Sequence, residues 1–186
     1  FERSLESDYK SFRTTQYLWT ASVGLTDWLS LDGAVGWGDI RLQDGVCSEI
    51  DFNGGFAGKY GFRIKLFDRE DSPYKLVTGF QHISVHPDNE IVDGVSRLVI
   101  FDDWQCALVG SVQVSDKLAP YLGVKFSEGD IIEWKDKVRK RHKSDNAEAY
   151  GLIVGLLYDF CEEAFVVIEG RLFDEKALSV GYTYQF

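Results

Sequence analysis

The sequence is poor in the residues that would mark a disulfide scaffold or a metal centre. It contains no methionine, three prolines and three cysteines among 186 residues. Cys47, Cys106 and Cys161 are odd in number and lack metal-ligand spacing, so they predict neither a disulfide framework nor a metal site. We interpret them as isolated thiols and expect no cofactor.

Long hydrophobic runs are also missing. A membrane-spanning helix needs about 20 apolar residues, whereas the longest run here covers only residues 152–158. Hydrophobic residues nevertheless make up 45% of the chain, and the mean hydropathy is −0.17, so apolar and polar residues alternate on a short scale. This excludes a helical membrane protein but leaves a β-barrel open, because each barrel strand needs only about 9–11 residues.

Basic residues are outnumbered by acidic ones, 20 to 30, so the formal net charge is −10. A nucleic-acid partner is therefore not expected, because it would require a basic footprint. The acidic residues cluster between the periodic segments and are interpreted as solvated loops: Glu2, Glu6, Asp8, Asp44, Glu49, Asp51, Asp88, Glu90 and Asp93. The chain has no helical 3.6-residue stripe.

The clearest pattern is strict alternation at the carboxyl end. One face carries Leu178, Val180, Tyr182, Tyr184 and Phe186, and the residues between them are Ala177, Ser179, Gly181, Thr183 and Gln185. Side chains alternate across a strand, so these ten residues predict a strand with one apolar, aromatic face and one small, polar face.

The same alternation recurs upstream and predicts an all-β chain. Eight further strands are expected at residues 16–25, 29–39, 54–67, 74–85, 95–115, 120–134, 147–160 and 165–173, with a β-bulge near Ile83. Short turns are expected at Thr26, Asp68, Asp116 and Cys161, and longer connections around Gly45, Asn89, Lys140 and Asp174. Nine strands cannot close an antiparallel barrel, which needs an even number. We therefore expect ten, with an incomplete N-terminal strand at Phe1, and eight as the alternative.

Glycine on the polar face decides which side would meet solvent. Nine glycines lie there: Gly24, Gly36, Gly38, Gly61, Gly79, Gly123, Gly151, Gly155 and Gly181. A soluble barrel would present lysine and glutamate to water, whereas a narrow lumen requires small residues. Aromatic residues also fall near both strand ends, namely Trp28, Tyr74 and Phe160 at one and Trp37, Trp104 and Tyr150 at the other. This distribution is typical of interfacial girdles, so we expect the apolar face to contact lipid.

The terminal strand and the short turn within residues 24–31 resemble small outer-membrane β-barrels of diderm bacteria, in the OmpA and OmpX size range. The resemblance implies one antiparallel, up-and-down transmembrane β-barrel domain over residues 1–186, monomeric and located in the bacterial outer membrane. It also implies outer-membrane lipids as partners, and insertion by the barrel-assembly machinery through Tyr182, Tyr184 and Phe186. It implies no activity.

Several charged residues point into the predicted lumen: Asp32, Lys59, Arg63, Lys65, Lys75, Lys125, Asp159, Glu169 and Arg171. They would either line a narrow polar passage or form a plug of ion pairs. We favour the plug, because a barrel of this size is only wide enough for side chains to fill, and buried charges must be paired to offset desolvation.

Two groups near the predicted rim are further candidates. His82 and His86 face Asp102 and Asp103 across a predicted hairpin, and Ser84 and Ser96 lie nearby. We therefore consider His86, Asp102 and Asp103 as candidate catalytic residues. The alternative is that they are ordinary rim residues. A basic stretch could bind lipopolysaccharide phosphate through Lys137, Arg139, Lys140 and Arg141, or simply be solvated.

Three functions remain open from the sequence. The first is a non-enzymatic barrel, either structural and surface-exposed or a very narrow channel. The second is an outer-membrane hydrolase or lipid-modifying enzyme that uses the rim His and Asp residues. The third is a soluble ligand-binding barrel, whose apolar face would point inward.

Overall fold

The computed structural model describes residues 1–4, 9–44, 49–143 and 149–185. Every regular element within these ranges is a β-strand: β1 (Glu2–Ser4), β2 (Tyr9–Gly24), β3 (Leu29–Asp44), β4 (Glu49–Asp68), β5 (Tyr74–His86), β6 (Glu90–Val92), β7 (Val95–Val112), β8 (Leu118–Lys135), β9 (Val138–Lys143), β10 (Tyr150–Cys161), β11 (Ala164–Leu172) and β12 (Ala177–Tyr184). No helix in the described part of the chain is long and apolar enough to cross a membrane.

Ten of the strands form one antiparallel sheet that curls into a nearly closed barrel. Their order is β1-β2-β3-β4-β5-β7-β8-β10-β11-β12, while β6 pairs with β7 and β9 pairs with β8 at the edge. The ends meet where Glu2 of β1 exchanges two backbone hydrogen bonds of 2.9 Å with Lys176. The predicted ten-strand, antiparallel, up-and-down fold is thus confirmed.

The barrel has a lower part, the belt, that is apolar outside. It extends from the short turns to the level of Trp37, Trp104 and Tyr150. Leu29 and Trp37 are eight steps apart on β3, which is about 27 Å along a strand and roughly 21 Å along the axis at a tilt of about 40°. That height is close to the ~25 Å apolar band of membrane barrels.

Beyond the belt the strands continue into a crown, in which the polarity reverses. The crown comprises residues 11–15, 39–43, 49–53, 84–86, 95–102 and 127–135 of the long strands, together with β9. On β2, for example, the outer face changes from Tyr17 and Trp19 in the belt to Arg13 in the crown, while Phe12 points inward with no exposed surface. The crown therefore resembles a water-soluble β-protein built on the same strands.

A cluster of apolar side chains fills the crown. Its buried members are Phe12, Ile40, Leu42, Phe52, Ala57, Ile83, Val85, Val99, Phe101 and Ile131. The rings of Phe1 and Phe12 both pack on Phe101, with centroids 5.4 and 4.8 Å away. Burying an aliphatic or aromatic side chain stabilises a fold by about 1.5–3 kcal/mol, so this cluster stabilises the upper barrel.

The crown accounts for the errors in the predicted strand limits. Residues 41–44 and 49–53 were predicted as loop but belong to β3 and β4, and the stretches predicted as loop at 86–94 and 136–146 contain β6 and β9. These strands lack the apolar outer face on which the prediction relied. The bulge expected near Ile83 is also misplaced, because the register shift of the β4–β5 pair lies between Lys65 and Phe67.

The expected turns and longer connections fall at opposite ends of the strands. Residues 25–28, 69–73, 113–117 and 162–163 make the short turns. The connections at the crown end include β6 and β9. The expected loop around Gly45, the thiol Cys47 and the terminal Phe186 lie outside the described residues, while Cys106 and Cys161 are free and exposed.

Candidate functional site

The belt lumen contains an ion pair that joins β3 to β4. Arg63 donates from Nε to Asp32 Oδ2 and from Nη2 to Asp32 Oδ1, both at 2.7 Å, and Ser22 Oγ donates to Asp32 at 2.6 Å. A bidentate guanidinium–carboxylate contact is the strongest form of such a pair. Two of the predicted lumen charges are therefore bonded to each other.

A second group of charges is buried where the belt meets the crown. Lys125 Nζ lies 2.8 Å from Asp174 Oδ2 and also contacts Glu175, and all three side chains have no exposed surface. Ser127 Oγ donates to Asp174 at 2.6 Å. Arg171 Nη1 lies 3.0 Å from Glu175. Because buried charges are costly unless paired, each cation of this cluster is matched by a carboxylate.

The β11–β12 connection supplies both carboxylates of that cluster by folding into the barrel. Phe173, 74% exposed, adopts φ 79°, a left-handed conformation that costs a non-glycine residue roughly 1–2 kcal/mol, and the chain then turns Asp174 and Glu175 inward. Opposite them, an added Cβ at Gly151 would lie 2.0 Å from Asp174 Oδ1. Glycine is thus required at 151 to seat the carboxylate.

The other predicted lumen residues occupy different places. Glu169 accepts a hydrogen bond of 2.9 Å from Tyr121 and lies 3.3 Å from Arg171. Lys59 lines the open part of the lumen. Asp159 lies near the end of β10, half-buried, where its N–H bonds to the carbonyl of residue 117.

Lys65 and Lys75 lie at the rim of the short-turn end, where both contact Asp68, at 3.1 and 3.3 Å. Partial desolvation opposes ionisation of Asp68, but hydrogen bonds from the two lysines outweigh it and lower the pKa of this carboxyl. These side chains are half-exposed. They form a solvated rim contact rather than a lumen plug.

Sequence reasoning missed five residues of the interior network: Arg3, Asp103, Tyr121, Asp174 and Glu175. Arg3 Nη1 lies 3.1 Å from Asp103 Oδ1, and neither side chain is exposed. Asp103 was assigned to the rim site, although strand alternation places it on the opposite face from its neighbour. Arg3, Asp174 and Glu175 lie in segments without alternation, so no pattern could have placed them.

Among the described residues, the charges of the lumen network at and below the junction of belt and crown balance in number. Five basic residues are Arg3, Lys59, Arg63, Lys125 and Arg171, and five acidic residues are Asp32, Asp103, Glu169, Asp174 and Glu175. Below the buried cluster remains a cavity of about 480 Å³. It is bounded toward the crown by Phe101 and Ile83, so it ends at the apolar cluster.

The rim candidates meet on the outer surface at the junction of belt and crown. Ser84 Oγ donates to Asp102 at 2.5 Å and lies 2.8 Å from His86 Nε2. His82 Nε2 lies 3.7 Å from Asp102. If Ser84 donates its proton to the carboxylate, His86 Nε2 is the donor to Ser84 Oγ, and that is not the arrangement of a base that takes the serine proton. Ser96 lies six residues along β7, about 20 Å away.

The basic stretch forms the β8–β9 hairpin of the crown and is partly neutralised. Arg141 contacts Asp130, a hydrogen bond that raises the pKa of the guanidinium. Arg139 lies 5.5 Å from the ring centroid of Trp134. Lys137 and Lys140 are exposed. The hairpin is therefore cationic but carries its own counter-charge.

Neither a protein-family model nor a curated protein sequence matches this chain. Within the described residues, no group of three or more His, Cys, Asp or Glu side chains is arranged to hold a metal ion.

Proposed function

We propose that this chain is an integral β-barrel of a bacterial outer membrane, with its belt in the hydrocarbon layer and its crown in water. One observation carries the proposal: all nine long strands expose large apolar side chains on the outer face of the belt. Trp19 is 86% exposed, Leu178 75% and Tyr150 74%. Soluble monomers rarely expose contiguous apolar patches above a few hundred Å², so this surface supports the proposal that the belt lies in hydrocarbon.

The interior favours a structural or surface protein over a channel. The buried Lys125–Asp174–Glu175 cluster and the apolar crown cluster lie one above the other across the lumen. Ions crossing the barrel would have to displace both. The charges would therefore serve as a plug that stabilises the wall, as the size argument predicts.

The test of membrane integration is folding into lipid. Unfolded chain diluted into phosphatidylcholine vesicles should yield a form that migrates faster on a gel without heating than after boiling, and that resists external protease. The matched control is dilution into buffer without lipid, which should yield aggregate. A soluble, monomeric, folded chain in that control would overturn the proposal and favour the soluble ligand-binding barrel.

The sealed lumen is tested separately by planar-bilayer recording. The reconstituted barrel should add no current steps above baseline. A double variant, Phe52→Ala with Phe101→Ala, thins the apolar cluster and should raise the leak if that cluster seals the barrel. Discrete current steps from the unmodified chain would contradict the plug and support the narrow channel.

A hydrolase or lipid-modifying enzyme remains the second candidate, because Ser84, His86 and Asp102 do meet at one point. The direction of their hydrogen bonds weighs against it, since a nucleophile needs a base that takes its proton. If the cluster is catalytic, His86→Ala should abolish turnover of lipid or peptide substrates by reconstituted barrels, whereas Ser96→Ala should not. Unchanged turnover would remove these residues from consideration.

Lipopolysaccharide is the partner that we propose for the crown hairpin. Lys137 and Arg139 are exposed cations on it, and Lys and Arg suit phosphate. Replacing both by glutamine should weaken binding to lipopolysaccharide micelles in a salt-dependent manner. The control pair, Arg69→Gln with Lys75→Gln at the opposite end, should leave binding unchanged.

A further inference from the structure

The cavity in the belt lumen has a continuous wall made by three neighbouring strands, β4, β5 and β7. Its volume of about 480 Å³ lies within the range of about 300–1,000 Å³ that is usual for small-molecule sites. Toward the crown it ends at Phe101 and Ile83. Arg63 lines it and has a side chain that is 54% exposed, so the cavity meets solvent at the level of this residue. It is thus both large enough for a small molecule and open to one.

The wall changes from polar to apolar between the crown side and the short turns. Three directly opposed pairs of β5 and β7 residues line the cavity in succession: Gln81 with Gln105, Gly79 with Ala107, and Val77 with Val109. Successive pairs are two residues apart, which is about 7 Å along a strand. The first pair offers amide groups, the second is nearly bare backbone, and the third is aliphatic. A molecule with one polar end and an apolar body matches this order.

Lys59 lies beside the polar end of this wall and also lines the cavity. Gly61, two residues further along β4, lies directly opposite Gln81. Lys59 and Gln81 are therefore diagonal neighbours on the inner face of the sheet, a spacing that long side chains can bridge. Neither side chain has a hydrogen bond or an ion pair with any residue that the structure describes. Two donors of the lumen are thus free at one place.

The carboxylates that act electrostatically on Lys59 are bonded to other groups. They are Asp32 and Glu169. Asp32 accepts two hydrogen bonds of 2.7 Å from Arg63, and Glu169 accepts one of 2.9 Å from Tyr121. A cation held away from water is costly unless it is paired, so the ammonium group favours an anion that enters the cavity. One free cation matches one negative charge, which a carboxylate supplies with a second oxygen left for an amide N–H.

We propose that the belt lumen binds a small monocarboxylate with an apolar body. The carboxylate contacts the Lys59 ammonium and the Gln81 amide, and the body lies along the Gly79–Ala107 pair toward the short turns. The ligand enters from the short-turn end, because the apolar cluster closes the crown end. The site is inside the barrel, so it goes beyond membrane integration and does not depend on it: failure to insert into vesicles would leave this proposal standing.

The first test follows 4-fluorobenzoate by fluorine NMR with the folded 186-residue chain in zwitterionic detergent, corrected for empty micelles. The probe should bind saturably. The probe 4-fluorobenzyl alcohol has the same ring without the charge and should bind roughly tenfold more weakly, because hydrogen bonds to charged groups are the stronger ones. Lys59→Gln should weaken binding of the carboxylate by a similar factor. The matched control Lys75→Gln removes a rim cation outside the cavity and should leave binding unchanged.

The second test needs no variant for its main readout. Carbon-13 methylation of the lysine amines keeps their charge, and the Lys59 signal, assigned by its distance-dependent broadening from a spin-labelled benzoate, should shift when 4-fluorobenzoate is added, whereas the Lys65 and Lys75 signals should not. Ala107→Leu fills the wall without changing a charge and should abolish the shift. Absence of saturable binding, equal binding of the alcohol, or a Lys59 signal that stays in place would each overturn the proposal.

Discussion

The belt and the crown are made by the same strands but place apolar side chains on opposite faces. In the belt, Trp19 is 86% exposed outside, while in the crown Phe12 is fully buried inside, seven residues earlier on β2. Both halves belong to the same antiparallel sheet, so the backbone itself does not distinguish the belt from the crown. The side-chain pattern does, and it changes on strands that continue from the belt into the crown, such as β2.

Removing the cation of the buried cluster should have the largest effect on stability. Lys125→Met keeps the side-chain bulk but removes the cation that contacts Asp174 and leaves Glu175 with Arg171 alone, and breaking a buried pair costs about 3–5 kcal/mol. The matched variant Lys75→Met removes a half-exposed rim cation and should cost under about 1 kcal/mol. Urea midpoints in one detergent measure both. Equal losses of stability would mean that the buried cluster is as accessible to solvent as the rim.

A charge on the belt surface should have the next largest effect, provided that lipid surrounds it. Leu108, exposed on the outer face at mid-belt, lies halfway between Trp104 and Val112. Leu108→Arg should reduce the free energy of unfolding by about 2–4 kcal/mol in vesicles. The crown counterpart Thr15→Lys should be nearly neutral. A neutral result for Leu108→Arg in vesicles would contradict the placement of the belt in hydrocarbon.

The difference between the two halves also explains what could be predicted from the sequence. In the belt, every strand carries an alternation of period two with an apolar outer set, and its strands, turns and strand number follow from that pattern. In the crown, residues such as Arg13 and Arg41 are exposed, so residues 41–44 of β3 and 49–53 of β4 lack the pattern and were predicted as loop, whereas the crown parts of β7 and β8 fell within predicted strands. Of the buried charge cluster, only Lys125 and Arg171 were predicted. Asp174 and Glu175 were not, because they enter the lumen from the connection between β11 and β12.

The fit of that connection is tested by adding one methyl group. Gly151→Ala would place a Cβ 2.0 Å from Asp174 Oδ1, so the carboxylate must leave its pocket, and such overpacking costs about 1–3 kcal/mol. Gly181→Ala, also on the lumen face, has no neighbour within 4 Å and should change stability little. Thermal unfolding in micelles compares them. If both variants behave alike, the 173–176 connection does not dock as described.

The smallest effect should come from pH at the rim. The pKa of Asp68 is lowered in the folded state, so its contribution is present above the ordinary value of about 3.9 and is lost as pH falls through the folded value. Exposure limits that contribution to under about 1 kcal/mol. Asp68→Asn should therefore unfold at slightly lower urea than the parent at pH 6, and the gap should close well below pH 4. A gap that persists there would show that packing, and not the lysine contacts, makes Asp68 stabilising. The rim contact would then resemble the buried charge cluster in its contribution to stability.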